Sequence, residues 1–210
     1  MENKGINMKN IFKSLLIIII VIFTISCEKD IDDYRVKFWN YLEQESYVLA
    51  EKVTDTMIEK YPDSAYSHFL KGFTLFEIKN YSEAEKFLKK SLRLYKGKTK
   101  KESQFFLIDV HYALSYVLRS QSKYVESINH AEKVLSIDST FVLAYDMLAV
   151  DYYRSQNYSE TIKYCNKALQ YKDNDIDNEA LVRIYKYKAL SLDKLKKYPA
   201  AISVLEKSLR

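Results

Sequence analysis

The residue types best suited to metal binding or nucleophilic catalysis are histidine and cysteine, and this chain of 210 residues has only three and two of them. A zinc site needs several ligands that converge on one point, and no companion cysteine or histidine stands near any of the five in the sequence. Serine, histidine and aspartate are scattered without the signature of a hydrolase nucleophile. The sequence therefore predicts no catalytic residue, no metal site and no cofactor.

Packing roles are expected for the histidines and for one cysteine instead. His68 and His111 fall in one recurring position that tyrosine holds elsewhere, so both rings should be packed. His130 should be exposed on a neighbouring helix. Cys165 takes a position that leucine holds elsewhere, which predicts a small buried side chain rather than a nucleophile.

Cys27 follows a targeting segment. Three lysines within the first 13 residues precede a run of eleven residues, Leu15–Ile25, that is apolar except for Thr24. That run is too short to span a hydrocarbon core, which needs roughly 20 residues, and it is typical of an export signal. It ends in Thr24-Ile25-Ser26-Cys27, which resembles a bacterial lipobox, although that family usually has leucine where Thr24 stands.

The lipobox resemblance implies cleavage before Cys27 and attachment of diacylglycerol to its sulfur. Residues 1–26 are then a signal peptide, and 27–30 are the acylated cysteine and a short linker. Two or more acyl chains anchor a protein stably where a single chain does not. A non-lipidated signal that is cut nearby and an uncleaved anchor are the open alternatives.

The residues after Cys27 bear on location. Glu28-Lys29-Asp30 resembles the surface-export tag of one group of Gram-negative bacteria. The alternative is a solvated linker on a lipoprotein that faces the periplasm. The expected location is the outer membrane, with the protein anchored by lipid on the periplasmic side or at the cell surface.

Five tyrosines mark an internal repeat in the rest of the chain. Each follows a polar residue and opens a helical stretch, and the intervals between them are 34, 43, 34 and 40 residues. A small side chain lies three residues after each tyrosine, and a small residue lies nine before four of the five. The tyrosines are Tyr47, Tyr81, Tyr124, Tyr158 and Tyr198.

This pattern resembles the tetratricopeptide repeat, which has a period of 34 and two antiparallel helices per unit. The resemblance implies an all-α fold, an α-α superhelix or solenoid of about five helix-turn-helix repeats. Small residues let the paired helices approach, and each unit must stack on the next because it cannot bury its own apolar face. The expected repeats are 31–64, 65–98, 108–141, 142–175 and 182–210, with the insert near Gly97 extending the third repeat's first helix backward.

In this family the first helices line a concave groove that usually binds extended or helical peptides. Transferred to this sequence, the groove is mostly aromatic, and part of it could instead be core. The predicted groove residues are Arg35, Trp39, Tyr66, Phe69, Phe73, Phe76, Tyr112, Tyr116, Arg119 and Tyr153. The fifth repeat would add Lys186, Leu190 and Asp193.

A basic run crosses the end of the second repeat, from Lys86 to Lys101. It could contact phosphates, but an exported chain meets little nucleic acid, so a solvated helix face is expected and no nucleic-acid partner. Once 1–26 is removed, 30 basic and 27 acidic residues give a mild net charge of +3.

The sequence thus predicts a lipid-anchored scaffold that binds a partner protein or peptide in its groove and is not an enzyme. Two alternatives stay open. One is a surface-exposed module for an extracellular ligand. The other is a self-associating structural protein whose last repeat, which no capping helix follows, docks on another copy.

Overall fold

The computed structural model describes residues 30–95, 100–171 and 178–208, and every element of regular secondary structure in these ranges is an α-helix. The predicted signal peptide, Cys27 and Gly97 lie outside the described residues. The chain divides into two compact units, Met1–Pro62 and Asp63–Arg210. The predicted all-α fold of helix-turn-helix pairs is confirmed.

The first unit contains α1, which is helical from residue 30 to residue 43, and α2 (Tyr47–Lys60). The second unit contains four further pairs. They are α3 (Ala65–Glu77) with α4 (Tyr81–Leu94), α5 (Lys100–Ser120) with α6 (Tyr124–Ile137), α7 (Val142–Arg154) with α8 (Tyr158–Gln170), and α9 (Asn178–Lys194) with α10 (Tyr198–Ser208). The start of α5 at Lys100 confirms the predicted backward extension of this helix.

In the first unit, the two helices are held by packing and by polar contacts at one end. Phe38 of α1 and Met57 of α2 are fully buried. The carboxylate of Asp30 accepts hydrogen bonds from the Tyr61 hydroxyl at 2.8 Å and from Lys60 Nζ at 3.3 Å. These contacts tie the start of α1 to the end of α2.

In the second unit, each pair packs on the next one along the chain. The second helix of a pair contacts the first helix of the following pair, and successive first helices also touch each other. The apolar faces are therefore buried between pairs, as stacking of repeats requires.

The turn inside each pair has the same form. A non-glycine residue with a φ between 52° and 63° stands two residues before the tyrosine that opens the second helix. In the α3–α4 turn, the Lys79 amide donates to the Phe76 carbonyl and the Asn80 amide to the Leu75 carbonyl, both at 2.8 Å. This is the Schellman arrangement that ends a helix. The residues with positive φ are Glu45, Lys79, Ser122, Gln156 and Lys196.

The helices of a pair cross closely because the crossing residues are small. A Cβ atom on Gly72 would lie 2.7 Å from Leu88 Cγ and 3.2 Å from the Ala84 carbonyl oxygen. The small residue three places after each opening tyrosine is buried in all five pairs. The predicted close crossing at Gly72 is confirmed.

Glu85 joins α4 to the turn between α5 and α6. Its carboxylate accepts hydrogen bonds from Lys123 Nζ at 2.7 Å, from Gln121 Nε2 at 2.8 Å and from Lys89 Nζ at 2.6 Å. Burial by itself would raise the pKa of Glu85, but these three donors outweigh it and lower the pKa to about 2. Glu85 is therefore an anionic clamp between neighbouring pairs.

The repeated turn makes a stability prediction. Lys79→Gly should raise the free energy of unfolding by about 0.5–1 kcal/mol, because glycine adopts positive φ without the clash that a Cβ atom causes. Lys90→Gly is the matched control, since Lys90 is an exposed lysine inside α4. It should lower the free energy of unfolding by about 1 kcal/mol. Urea denaturation measures both, and a decrease for Lys79→Gly would contradict the role assigned to the turn.

Candidate functional site

The aromatic residues predicted for the groove in repeats two and three form one continuous row. We call this row the aromatic face; it consists of Tyr66, Phe69, Phe73 and Phe76 of α3 with Tyr112 and Tyr116 of α5. Consecutive ring centroids lie 5.4–6.4 Å apart, which are ordinary distances for paired rings. The step from one helix to the next is the edge-to-face contact of Phe76 with Tyr116 at 5.4 Å.

The rings of this row differ in exposure. Phe69 is buried, with 8% of its surface exposed, and packs edge-on against Phe106 at 5.9 Å. Phe69 therefore belongs to the core, and its assignment as a groove residue is wrong. The other five rings are half-buried. They combine a fixed position with an accessible edge or face, as interface anchors do.

Tyr112 is a half-buried tyrosine of this face. Burial, together with the nearby Tyr116 and Asp146, raises its pKa to about 12. Its ring also contacts Phe141 at 5.6 Å. The hydroxyl is therefore neutral at physiological pH and can act only as a hydrogen-bond donor or acceptor.

Arg119 is held in place at the end of the aromatic face by a buried carboxylate. Its Nε donates to Asp151 Oδ1 at 2.7 Å, and its guanidinium lies 5.2 Å from the Tyr116 ring centroid. Asp151 is fully buried and also accepts a hydrogen bond from Ser127 Oγ at 2.5 Å. Burial raises the pKa of Asp151, while Arg119 and Ser127 favour its charged form. Arg119 therefore packs against the Tyr116 ring, and its side chain is only 14% exposed.

A second buried ion pair follows one repeat later. Arg183 of α9 donates from Nε and Nη2 to Asp146 Oδ2 at 2.8 and 2.7 Å. Tyr153, the predicted groove residue of α7, is half-buried and packs against Tyr187 of α9 at 5.0 Å. The predicted apolar groove is therefore apolar along α3 and α5, and it changes to salt-bridged positions from α7 onward.

Arg35 and Trp39 belong to the first unit. Trp39 has 40% of its surface exposed and packs edge-on against Phe38 at 5.2 Å. Arg35 is exposed and pairs with Asp32 at 3.1 Å, an exposed pair of small energetic weight. Both are accessible on the surface of their own unit.

Sequence reasoning missed several residues that shape this region. Phe105 is 62% exposed, and it stands seven residues before Tyr112 on α5. That spacing places the two rings on one side of the helix, so the signal was available once α5 was extended backward. Arg183 and Asp151 had no such signal. Asp151 pairs with Arg119, 32 residues away, and Arg183 pairs with Asp146, 37 residues away.

The histidines give one confirmation and one correction. His68 is buried against Phe87, and His111 is buried as well, so both rings are packed as predicted. His130 is only partly exposed, and its Nδ1 lies 2.8 Å from His111 Nδ1. The expectations that His130 is exposed and that no histidine has a companion are therefore wrong.

This pair has no metal-binding surroundings. Among the described residues, no group of three His, Cys, Asp or Glu side chains is placed to hold an ion. Cys165 is fully buried, and burial raises its pKa to about 12, so its thiol is protonated and shielded. In the basic run, Lys86 and Lys89 pair with Glu83 and Glu85 of the same helix.

The comparisons with known proteins agree with this architecture. Residues 65–97 match the family model for the tetratricopeptide repeat, and no curated protein matches the sequence. None of the described helices is both long and apolar enough to cross a membrane.

Solved structures show the same fold. MamA of Desulfovibrio magneticus RS-1 is 15% identical, with a TM-score of 0.71 over 85% of this chain and 92% of that one. PilW, a type IV pilus biogenesis factor, is 15% identical, with a TM-score of 0.69 over 84% and 76%. YrrB, described as a TPR protein with an unusual peptide-binding site, is 12% identical, with a TM-score of 0.66 over 84% and 83%. Together these findings show an α-α superhelix fold, in which residues 65–97 match the tetratricopeptide repeat model.

The histidine pair makes a pH prediction. Burial lowers the pKa of both His111 and His130 to about 4, with nearby Lys133 adding to the effect. Because the unfolded chain takes up protons near pH 6.5 and the folded pair does so only near pH 4, the free energy of unfolding should fall as pH drops through that window. The double variant His111→Phe/His130→Phe should lose this part of the pH dependence. Urea denaturation at pH 7.0, 5.5 and 4.5 measures it, and equal slopes for both proteins would contradict the assignment.

Proposed function

We propose that this protein is a lipid-anchored scaffold that binds a partner protein or peptide along its aromatic face. The supporting observation is the row of rings on α3 and α5, in which every ring except the buried Phe69 is half-buried. Large contiguous apolar surfaces are rare on monomeric proteins unless they bind something. Aromatic residues and arginine are the usual interface anchors, and Arg119 closes the row beside Tyr116.

The fold suits this role. YrrB has a similar fold and is described by its peptide-binding site, and PilW is described as a biogenesis factor for type IV pili. A binding role needs no catalytic group, and the two charged pairs described for this region, Arg119–Asp151 and Arg183–Asp146, are salt bridges between helices. The proposed partner is therefore a protein or peptide, and neither a nucleic acid nor a substrate for chemistry.

The membrane attachment is proposed from the sequence Thr24-Ile25-Ser26-Cys27. If Cys27 carries the acyl chains, α1 begins within roughly 10 Å of the bilayer, because three residues span at most about 3.5 Å each. The scaffold would then collect its partner close to the outer membrane, on the periplasmic side or at the cell surface. Protease treatment of intact cells separates these two locations, because only a surface-exposed protein is degraded.

The anchor is tested by Cys27→Ala. This variant should lose acylation and partition into the aqueous phase during detergent phase separation, or accumulate unprocessed. Thr24→Leu is the matched control, since it brings the segment closer to the usual lipobox and should keep acylation. Partition of the processed Cys27→Ala protein, which has lost residues 1–26, into detergent at the level of the natural chain would contradict the anchor.

The aromatic face is tested by Phe73→Ala combined with Tyr116→Ala. We expect partner binding to weaken by about 2 kcal/mol or more, roughly 30-fold, because both rings are proposed anchors. The partner is first recovered by crosslinking from the native membrane, and its affinity is then measured with the purified protein. Trp39→Ala forms a separate arm for the first unit.

Val125→Ala is the control, because Val125 of α6 is 73% exposed and outside the aromatic face. Circular dichroism and urea denaturation accompany each variant. Loss of helicity together with binding would show that Phe73 and Tyr116 are core residues and would overturn the proposal.

A further inference from the structure

The α9–α10 pair carries an open apolar groove of about 490 Å³ on the side away from α7 and α8. Its apolar lining includes Val182 and Leu190 of α9 and Tyr198, Ile202 and Leu205 of α10, with Lys186 among them. We call this surface the end face. In the described part of the chain, no helix covers it.

The repeat register shows what this surface is built to receive. Because Tyr158 and Tyr198 are 40 residues apart, each end-face residue has a counterpart 40 residues earlier. Val142, the counterpart of Val182, is 6% exposed where Val182 is 59% exposed. Cys165, the counterpart of Leu205, is fully buried, whereas Leu205 is 49% exposed. Val142 and Cys165 are less exposed than their end-face counterparts because α9 packs on α7 and α8.

The seating of α9 has an apolar and a charged component. Ile184 and Tyr187 of α9 pack on the cluster that contains Cys165. Beside them, Arg183 of α9 makes its ion pair with Asp146 of α7. α9 therefore covers α7 and α8 with an apolar stripe and with one arginine that pairs with a carboxylate of α7.

On the end face this charge is reversed. The counterpart of Asp146 is Lys186, so a helix seated in the same way meets a cation where α9 meets a carboxylate. The surroundings are also basic, since residues 178–208 contain seven Lys and Arg against three Asp and Glu. Asp193, the counterpart of Tyr153, is the one acidic residue in the groove lining.

We propose that the end face is a second docking site, which takes an acidic amphipathic helix from a separate protein. The guest sits as α9 sits on α7 and α8, with its apolar stripe in the groove and a glutamate or aspartate against Lys186. This is the helix-in-groove mode of recognition, with the charge of Lys186 selecting the partner. The site lies on α9 and α10 and shares no residue with the aromatic face, although its Lys186, Leu190 and Asp193 are the groove residues that the sequence predicts for the fifth repeat.

Two peptides with the sequence of residues 178–194 test the proposal. One carries the natural Arg183 and the other Arg183→Glu, and in both a hydrocarbon staple joins positions 182 and 186 on the side turned away from α7. Fluorescence anisotropy against the full acylated chain in detergent gives the two dissociation constants. We expect the Arg183→Glu peptide to bind at least about tenfold more tightly, and Lys186→Glu in the protein to reverse that preference.

Controls keep the outcome decisive. Ile202→Asp should abolish binding of both peptides, and Val125→Asp, at an exposed apolar position on α6, should leave it unchanged. The Phe73→Ala/Tyr116→Ala variant should bind the peptides normally, so failure here is separable from failure of the aromatic face. The proposal is overturned if neither peptide binds at 1 mM, about the weakest affinity that still counts as binding. It is also overturned if Lys186→Glu changes neither affinity.

A second copy of the chain is the competing occupant of the end face. If the chain alone sediments as an oligomer, and Ile202→Asp converts that oligomer to a monomer, the end face is assigned to a second copy and the proposal is overturned.

Discussion

The structure depends on one packing constraint, which is that a single pair of helices has more apolar surface than it can bury. Close crossing at small residues such as Gly72 lets two helices share one side. The other side must be covered by the first helix of the next pair, as α9 covers α7 and α8. The ion pairs of the second unit, Arg119–Asp151 and Arg183–Asp146, lie where one such face is covered by the next pair.

The same constraint produces the proposed binding surface. Each first helix packs one side against the second helix of its own pair and another side against the neighbouring pair. The remaining side can contact other molecules. On α3 and α5 that side carries rings, and Phe76 and Tyr116 join them across the two helices. Beyond α5 the side is closed by ion pairs, because Asp151 and Asp146 are each matched by an arginine 32 or 37 residues away.

Sequence periodicity was sufficient to predict the helix pairs, because the opening tyrosines and the small residues that follow them recur in phase. It also predicted the crossing at Gly72 and the burial of Cys165. It could not predict that Phe69 is a core residue. Phe69 is covered by Phe106, which lies in the part of α5 that the insert adds to the regular repeat. The contact between His111 of α5 and His130 of α6 was missed because periodicity predicts which face of a helix a residue lies on. It does not predict which side chains of two packed helices meet.

The central claim is that the aromatic face contacts a partner protein in the native membrane. Site-specific photocrosslinking tests it most directly, with a photoreactive phenylalanine analogue placed at Phe73 and, in a separate strain, at Val125. We expect a discrete crosslinked species from position 73, absent from position 125 and lost when Tyr116→Ala is added. Equal crosslinking from both positions, or none from position 73 in the acylated protein, would contradict the claim.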